Sequence, residues 1–254
     1  VAGETICIRR IDRLPPQAGP PAERQTVTAP LVVFDLDGTL VDTAPDLIAS
    51  LNHTIGTAGL PPVSYDDLTF LVGHGGQVMI QRAFELRGET LTERDLPSYL
   101  KVFVDHYAAG MPGASLPYPG LVAALDRLEG AGFRLAVCTN KMEGLARRLI
   151  DGLQLTPRFS AITGGDTFSV RKPNAAHLLE TIQLAGGVSD RSVMIGDSLN
   201  DMLVARNAGV PSIGVPFGYS DVPVAQLEPN HVIESFDELR PELVEALIER
   251  SAAA

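Results

Sequence analysis

Six short apolar runs alternate along this chain with stretches of helical periodicity: LVVF (31–34), FRLAVCT (133–139), SAIT (160–163), SVMIG (192–196), PSIGV (211–215) and HVIE (231–234). Runs of this length, rich in β-branched residues and bounded by turn formers, suit strands buried on both faces. Between them lie PGLVAALDRLEGAG, KMEGLARRLIDGL, NAAHLLETIQLAG and SLNDMLVARNAG, and FDELRPELVEALIERSA closes the series. Strand and helix in alternation predict right-handed crossovers and an α/β fold, a Rossmann-like parallel sheet core covered by helices on both faces.

Residues 44–114 break the alternation. They hold helical patterns (APDLIASLNHTIGTAG, SYDDLTFLVG, GGQVMIQRAFELRG, ERDLPSYLKVFVDHYAAG) and no convincing strand, over a length far beyond an ordinary crossover. The organisation expected is an α/β core from residues 30–44 and 116–254 and an inserted α-helical cap domain from 45–115, with LPYPG (116–120) as the return linker. Residues 1–29, with PPQAGPPAERQ in the middle, are expected to be a poorly ordered extension, ICI at 6–8 being the one strand-like run.

Composition limits what such a fold can serve. A net charge of −11, with no local cluster of Lys and Arg, argues against nucleic acid as a partner. It also means that any anion site must be locally positive, through a few lysines, backbone N–H groups or a metal. No run approaches the ~20 apolar residues of a membrane span. Cys7 and Cys138 give neither a disulfide framework nor a metal-binding spacing. A cytoplasmic protein acting on a small molecule, of undetermined oligomeric state, is the expectation.

Ligands of open parallel sheets bind outside the carboxyl ends of the strands, so the polar residues there carry the argument. Asp35 and Asp37 follow the first run, Thr139 and Asn140 the second, and Asp197 and Asp201 the fourth; Arg171 and Lys172 precede the helix after the third. Each has an ordinary reading: DxD before glycine as a turn, TNK or GDSLND as helix caps, Lys172 as a surface lysine. Together, three carboxylates, a lysine and a hydroxyl at one sheet edge suggest a divalent cation beside a phosphate, and magnesium is the cation that shares its shell with substrate phosphate. The cation offsets repulsion between Asp35 and Asp197, while Lys172 and Thr139 hold phosphoryl oxygens. In the insertion, LVGHGG (71–76) precedes a helix, and its glycine-rich start offers free N–H groups. His74, Gly75 and Gly76 are therefore candidates for binding a substrate carboxylate, with a plain turn as the alternative.

DLDGT, TN, KP and GDSLND resemble, in order, the four motifs of the haloacid dehalogenase superfamily, and the resemblance covers residues 31–240. FLVGHGG, TNK and SIGVPFGYSD look more closely like its phosphoglycolate phosphatases. The resemblance implies a magnesium-dependent phosphomonoesterase, with 2-phosphoglycolate as substrate and an aspartyl-phosphate intermediate. Asp35 is then the nucleophile and Asp37 the general acid and base, while Thr139 and Lys172 hold the phosphoryl group. Asp35 and Asp197 side chains and the Asp37 carbonyl bind the metal, Asp201 positions Lys172 or a metal water, and Asn140 and Gly38 lie beside the substrate. Met142 and the pair Asn174 and Ala175 stand where the family often has proline.

Asp37 argues against a dehalogenase, which needs no acid for its leaving group. A sugar phosphomutase of the β-phosphoglucomutase type shares all four motifs but carries a histidine where this chain has Leu47. That mutase, a less specific sugar-phosphate phosphatase and a phosphate-binding protein without turnover remain the alternatives.

Overall fold

The computed structural model describes residues 28–65 and 75–253. All but the last two residues of the extension expected over residues 1–29, and most of the helical pattern SYDDLTFLVG, lie outside the described residues. Along the chain come β1 (Leu31–Phe34), β2 (Val41–Asp42), α1 (Ala44–Gly56), α2 (Gly76–Leu86), α3 (Leu96–Gly110), β3 (Leu116–Pro117), α4 (Leu121–Gly130) and β4 (Arg134–Cys138). There follow α5 (Glu143–Gly152), β5 (Ala161–Thr163), α6 (Ala175–Leu184), β6 (Ser192–Gly196), α7 (Leu199–Ala208), β7 (Ser212–Gly214), β8 (His231–Val232) and α8 (Pro241–Ala252). All six apolar runs contribute strands to one parallel sheet of order β5-β4-β1-β6-β7-β8.

Alternate residues of the central strand feed opposite faces, as the strand period requires. Val32 and Phe34 of β1 join Leu121 and Leu125 of α4, Leu149 of α5 and Val244 of α8. Leu31 and Val33 join Leu178 of α6 and Val204 of α7 on the other side. The chain runs from β1 outward through β4 and β5, then returns to β6 on the far side of β1. That reversal opens a crevice at the carboxyl ends of β1 and β6.

Two local features differ from expectation. LPYPG is not only a linker, because Leu116 and Pro117 pair antiparallel with Asp42 and Val41 in a two-stranded ribbon too short to show periodicity. The last helix starts at Pro241 rather than Phe236, with a single 3₁₀ turn at Phe236–Glu238 before it. Proline disfavours helix in the residue preceding it but suits the first helical position, so Arg240 stays extended and α8 begins there.

The insertion packs around its own apolar cluster: Leu47, Leu51 and Ile55 of α1, Met79, Ile80 and Phe84 of α2, Phe103 and Tyr107 of α3. Its two crossings are tied together. Asp46 accepts hydrogen bonds from the backbone N–H groups of Ala114 and Ser115 and from the Ser115 hydroxyl, at 3.0, 2.7 and 2.5 Å.

Candidate active site

Six of the residues expected at the strand ends meet in one place. Asp35 leaves β1 with its N–H still bonded to Ile195 O of β6 (2.9 Å). Asp197 leaves β6, Thr139 leaves β4, and Lys172 arrives from the loop before α6. With Asp37, Asn140, Lys141, Ser198 and Asn200 they line a small pocket of about 20 Å³. It adjoins a cavity of about 220 Å³ between core and insertion, walled by Met79, Leu100, Phe103 and Tyr107 and sharing Asp37, Asn140 and Lys141 with the small pocket.

The charges are buried and shared. Lys172 Nζ lies 2.8 Å from Asp35 Oδ1 and 2.6 Å from Asp201 Oδ1, with only 2% of its side chain exposed. Asp201 Oδ2 accepts from the N–H and hydroxyl of Ser198 (3.0 and 2.6 Å), so the same carboxylate closes the capping box of α7. The capping reading of GDSLND thus holds, with the same carboxylate also reaching Lys172. Asp197 accepts from Thr39 Oγ1 (2.9 Å) and Tyr219 N (2.8 Å). The Lys172 N–H donates to Nδ1 of buried His177 at 3.1 Å. Burial, followed by the charge of Lys172, lowers His177 to about 4, which leaves Nδ1 free to accept.

Carboxyl oxygens of Asp35, Asp197 and Asp201 lie within 4.8 Å of one another. Burial, then the Asp201 charge, raises Asp35 to about 7 against the pull of Lys172. Burial, then Asp201 and Asp35, raises Asp197 to about 8. Three carboxylates around one lysine leave excess negative charge, and an all-oxygen donor set suits a hard divalent cation. Asp35 and Asp197 line the small pocket and Asp201 does not, which leaves Asp35 and Asp197 as the side chains that could hold such an ion.

Asp37 is held differently. Its Oδ1 accepts from Thr43 Oγ1 (2.6 Å) and from Lys141 Nζ (2.8 Å), away from the lysine that serves Asp35. Lys141 also lies 4.6 Å from the centre of the Tyr107 ring of α3. The Thr139 hydroxyl accepts from Lys141 N (3.2 Å), so its proton remains available to a ligand. Asn140 donates Nδ2 to the Lys172 carbonyl (3.1 Å) and leaves a buried acceptor, Oδ1, without a partner among the described residues. As oriented, it offers an acceptor rather than a donor.

Gly38 has φ +83 and gives its N–H to Val41 O (3.0 Å), so that N–H is not free for a ligand. Glycine is required there because a Cβ would collide with the Asp197 carboxylate and the Tyr219 ring. Gly75 (φ +96) and Gly76 open α2 and line the larger cavity but not the small pocket. His74 lies outside the described residues. Sequence reasoning did not single out Lys141, although it sits in the TNK motif, nor Thr43, Ser198 or Tyr219. Tyr219 is the hardest to find from spacing: its hydroxyl donates to Asp42 (2.5 Å) and accepts from Thr43 and Ala44 N–H (2.7 and 3.0 Å), while its N–H holds Asp197.

The family described as haloacid dehalogenase-like hydrolase matches residues 32–215. The chain is 60% identical over 226 residues to a phosphoglycolate phosphatase of Agrobacterium fabrum, covering 89% of this chain and 97% of that one. It is 49% identical over 222 residues to one of Mesorhizobium japonicum, covering 87% and 98%. A crystal structure described as a predicted phosphoglycolate phosphatase from Haemophilus somnus superposes with TM-score 0.78 at 30% identity, over 83% of this chain and 96% of that one. The family match extends from the first sheet strand through the strand that follows Asp197, and takes in every carboxylate of the site: the chain belongs to the haloacid dehalogenase-like hydrolases.

Proposed function

We propose that this chain is a magnesium-dependent phosphatase that hydrolyses 2-phosphoglycolate through an aspartyl-phosphate intermediate. The observation that carries the reading is the convergence of Asp35, Asp37, Thr139, Lys172 and Asp197 on one small buried pocket. The name shared by the two relatives, which the chain matches along nearly their full length, supports the choice of substrate.

Asp35 attacks phosphorus and takes the phosphoryl group, splitting one difficult step into two. Lys172 keeps Asp35 oriented and neutralises phosphoryl oxygens, and Thr139 donates its hydroxyl to one of them. Asp37 gives a proton to the leaving oxygen and later takes one from the hydrolytic water. Thr43 and Lys141 fix its carboxylate for that task. Asp35, Asp197 and the Asp37 carbonyl would hold magnesium, which would supply charge stabilisation for the phosphoryl oxygens. Residues 45–115 act as a cap that shuts the cavity against water.

In a phosphate-release assay, turnover requires magnesium, and kcat/KM for 2-phosphoglycolate exceeds that for sugar phosphates and p-nitrophenyl phosphate by roughly a hundredfold. A sugar phosphate as the best substrate, or isomerisation of a sugar phosphate without net phosphate release, overturns the reading.

The carboxylates make a second prediction, read without turnover. Asp35 and Asp197 hold protons more tightly folded than unfolded, so the stability they contribute is present at low pH and is lost as pH rises through about 7 and 8. A bound cation removes that loss. Magnesium at one fixed concentration, a hundredfold its Kd at pH 8, raises Tm by about 5–10 °C near pH 8 and by less near pH 6, as thermal melts followed by circular dichroism will read. Equal shifts at both pH values would remove these two carboxylates from the metal site.

A further inference from the structure

Lys141 fixes Asp37, and it also faces space beyond the phosphoryl pocket. Its ammonium lies 2.8 Å beyond the Asp37 carboxylate, with 6% of its side chain exposed. It borders both the small pocket and the larger cavity. The other residues common to the two are Asp37 and Asn140, so among the described residues Lys141 is the positive charge at their junction. Arg171 and the start of α2 reach only the larger cavity. Tyr107, 2% exposed, places its ring 4.6 Å from the ammonium and its hydroxyl close to it.

We propose that Lys141, assisted by the Tyr107 hydroxyl, binds the substrate's carboxylate and selects phosphomonoesters that carry an anionic group on the carbon next to the ester oxygen. This rests on the 2-phosphoglycolate reading and names the residues that enforce it.

The placement follows from connectivity. Asp37 must face the leaving oxygen, and in a phosphoglycolate that oxygen bears one methylene and then the carboxylate. The carboxylate therefore falls within two bonds of the oxygen that Asp37 serves, in the space that the Lys141 ammonium borders. A charged hydrogen bond formed there is largely shielded from water and so is strong. An ester with a neutral group at that point leaves the ammonium without its second partner, the kind of mismatch on which polar sites discriminate. The N-terminus of α2, which does not border the small pocket, is left to longer substrates.

The test compares 2-phosphoglycolate with 2-hydroxyethyl phosphate, its uncharged counterpart, in wild type, Lys141→Met and Lys141→Arg. The quantity read is the ratio of their kcat/KM values, because a lysine that only steadies Asp37 lowers both substrates alike. The ratio is expected to fall roughly a hundredfold in Lys141→Met and to stay within about tenfold of wild type in Lys141→Arg. Tyr107→Phe, which retains the ring, lowers the ratio about fivefold, chiefly through KM. A preference that survives Lys141→Met overturns the inference and leaves the proposed function standing. Should Lys141→Met not fold, an unchanged ratio and KM in Tyr107→Phe, together with a lost preference in Lys141→Arg, would overturn it equally. A wild type that prefers the uncharged ester overturns both readings, and does so before any variant is made.

Discussion

Asp35→Asn lowers kcat for phosphate release by at least about 10⁴-fold, because a nucleophile acts as a unit with its partners and its loss is not made good by the rest of the site. The melting behaviour moves the other way. Asp35 is buried and raised to about 7 by burial and by Asp201, so the neutral amide removes charge that the fold bears at a cost. Without metal, the variant melts no lower than wild type above about pH 7, and Lys172 keeps Asp201 as its partner. Phosphate-release assays and melts on the same preparation check both halves. Residual turnover above about one part in a hundred would move the nucleophile to another residue.

Lys172→Met harms activity and stability together. Its ammonium serves Asp35 and Asp201 at 2.8 and 2.6 Å, and a methionine leaves carboxylates clustered within 4.8 Å without their lysine. Breaking a buried pair by removing one partner costs about 3–5 kcal/mol, a Tm loss of about 10 °C in a chain of this size. Losing the charge on the phosphoryl oxygens lowers kcat by roughly 10³-fold. Lys172→Arg is not a remedy, because the planar guanidinium is a different shape from the compact ammonium held in this buried space. A melt in chelator that matches wild type would mean that the ion pairs of Lys172 add nothing to stability.

The sheet was legible because its central strands β1, β4 and β6 are short and mostly apolar on both faces, and because the turns between strands and helices are marked by Gly, Pro and Asp. The core site was legible for a related reason: strand ends must converge in a parallel sheet, so polar residues there come together whatever their separation in sequence. Lys141 was not legible, since its partner Asp37 lies 104 residues away and a lysine after TN reads as a helix approach. The ribbon of β2 and β3 has two residues per strand, below any periodic signal. Gly38 was read as lying beside the substrate, whereas its need comes from the close approach of Asp197 and Tyr219, a crowding visible only in three dimensions.

That ribbon also bears on how such a chain can diversify. Val41 pairs with Pro117 and Asp42 with Leu116, so the insertion leaves the sheet and re-enters it at neighbouring points, closed by Asp46. Seen from the sheet, the whole insertion is one excursion with fixed ends, and the entropy of closing it changes only slowly with its length. Helices can be lengthened, shortened or replaced there without shifting the register of β1 against β4 or β6. Changes in the insertion can therefore accumulate while the strand-end carboxylates stay where they are.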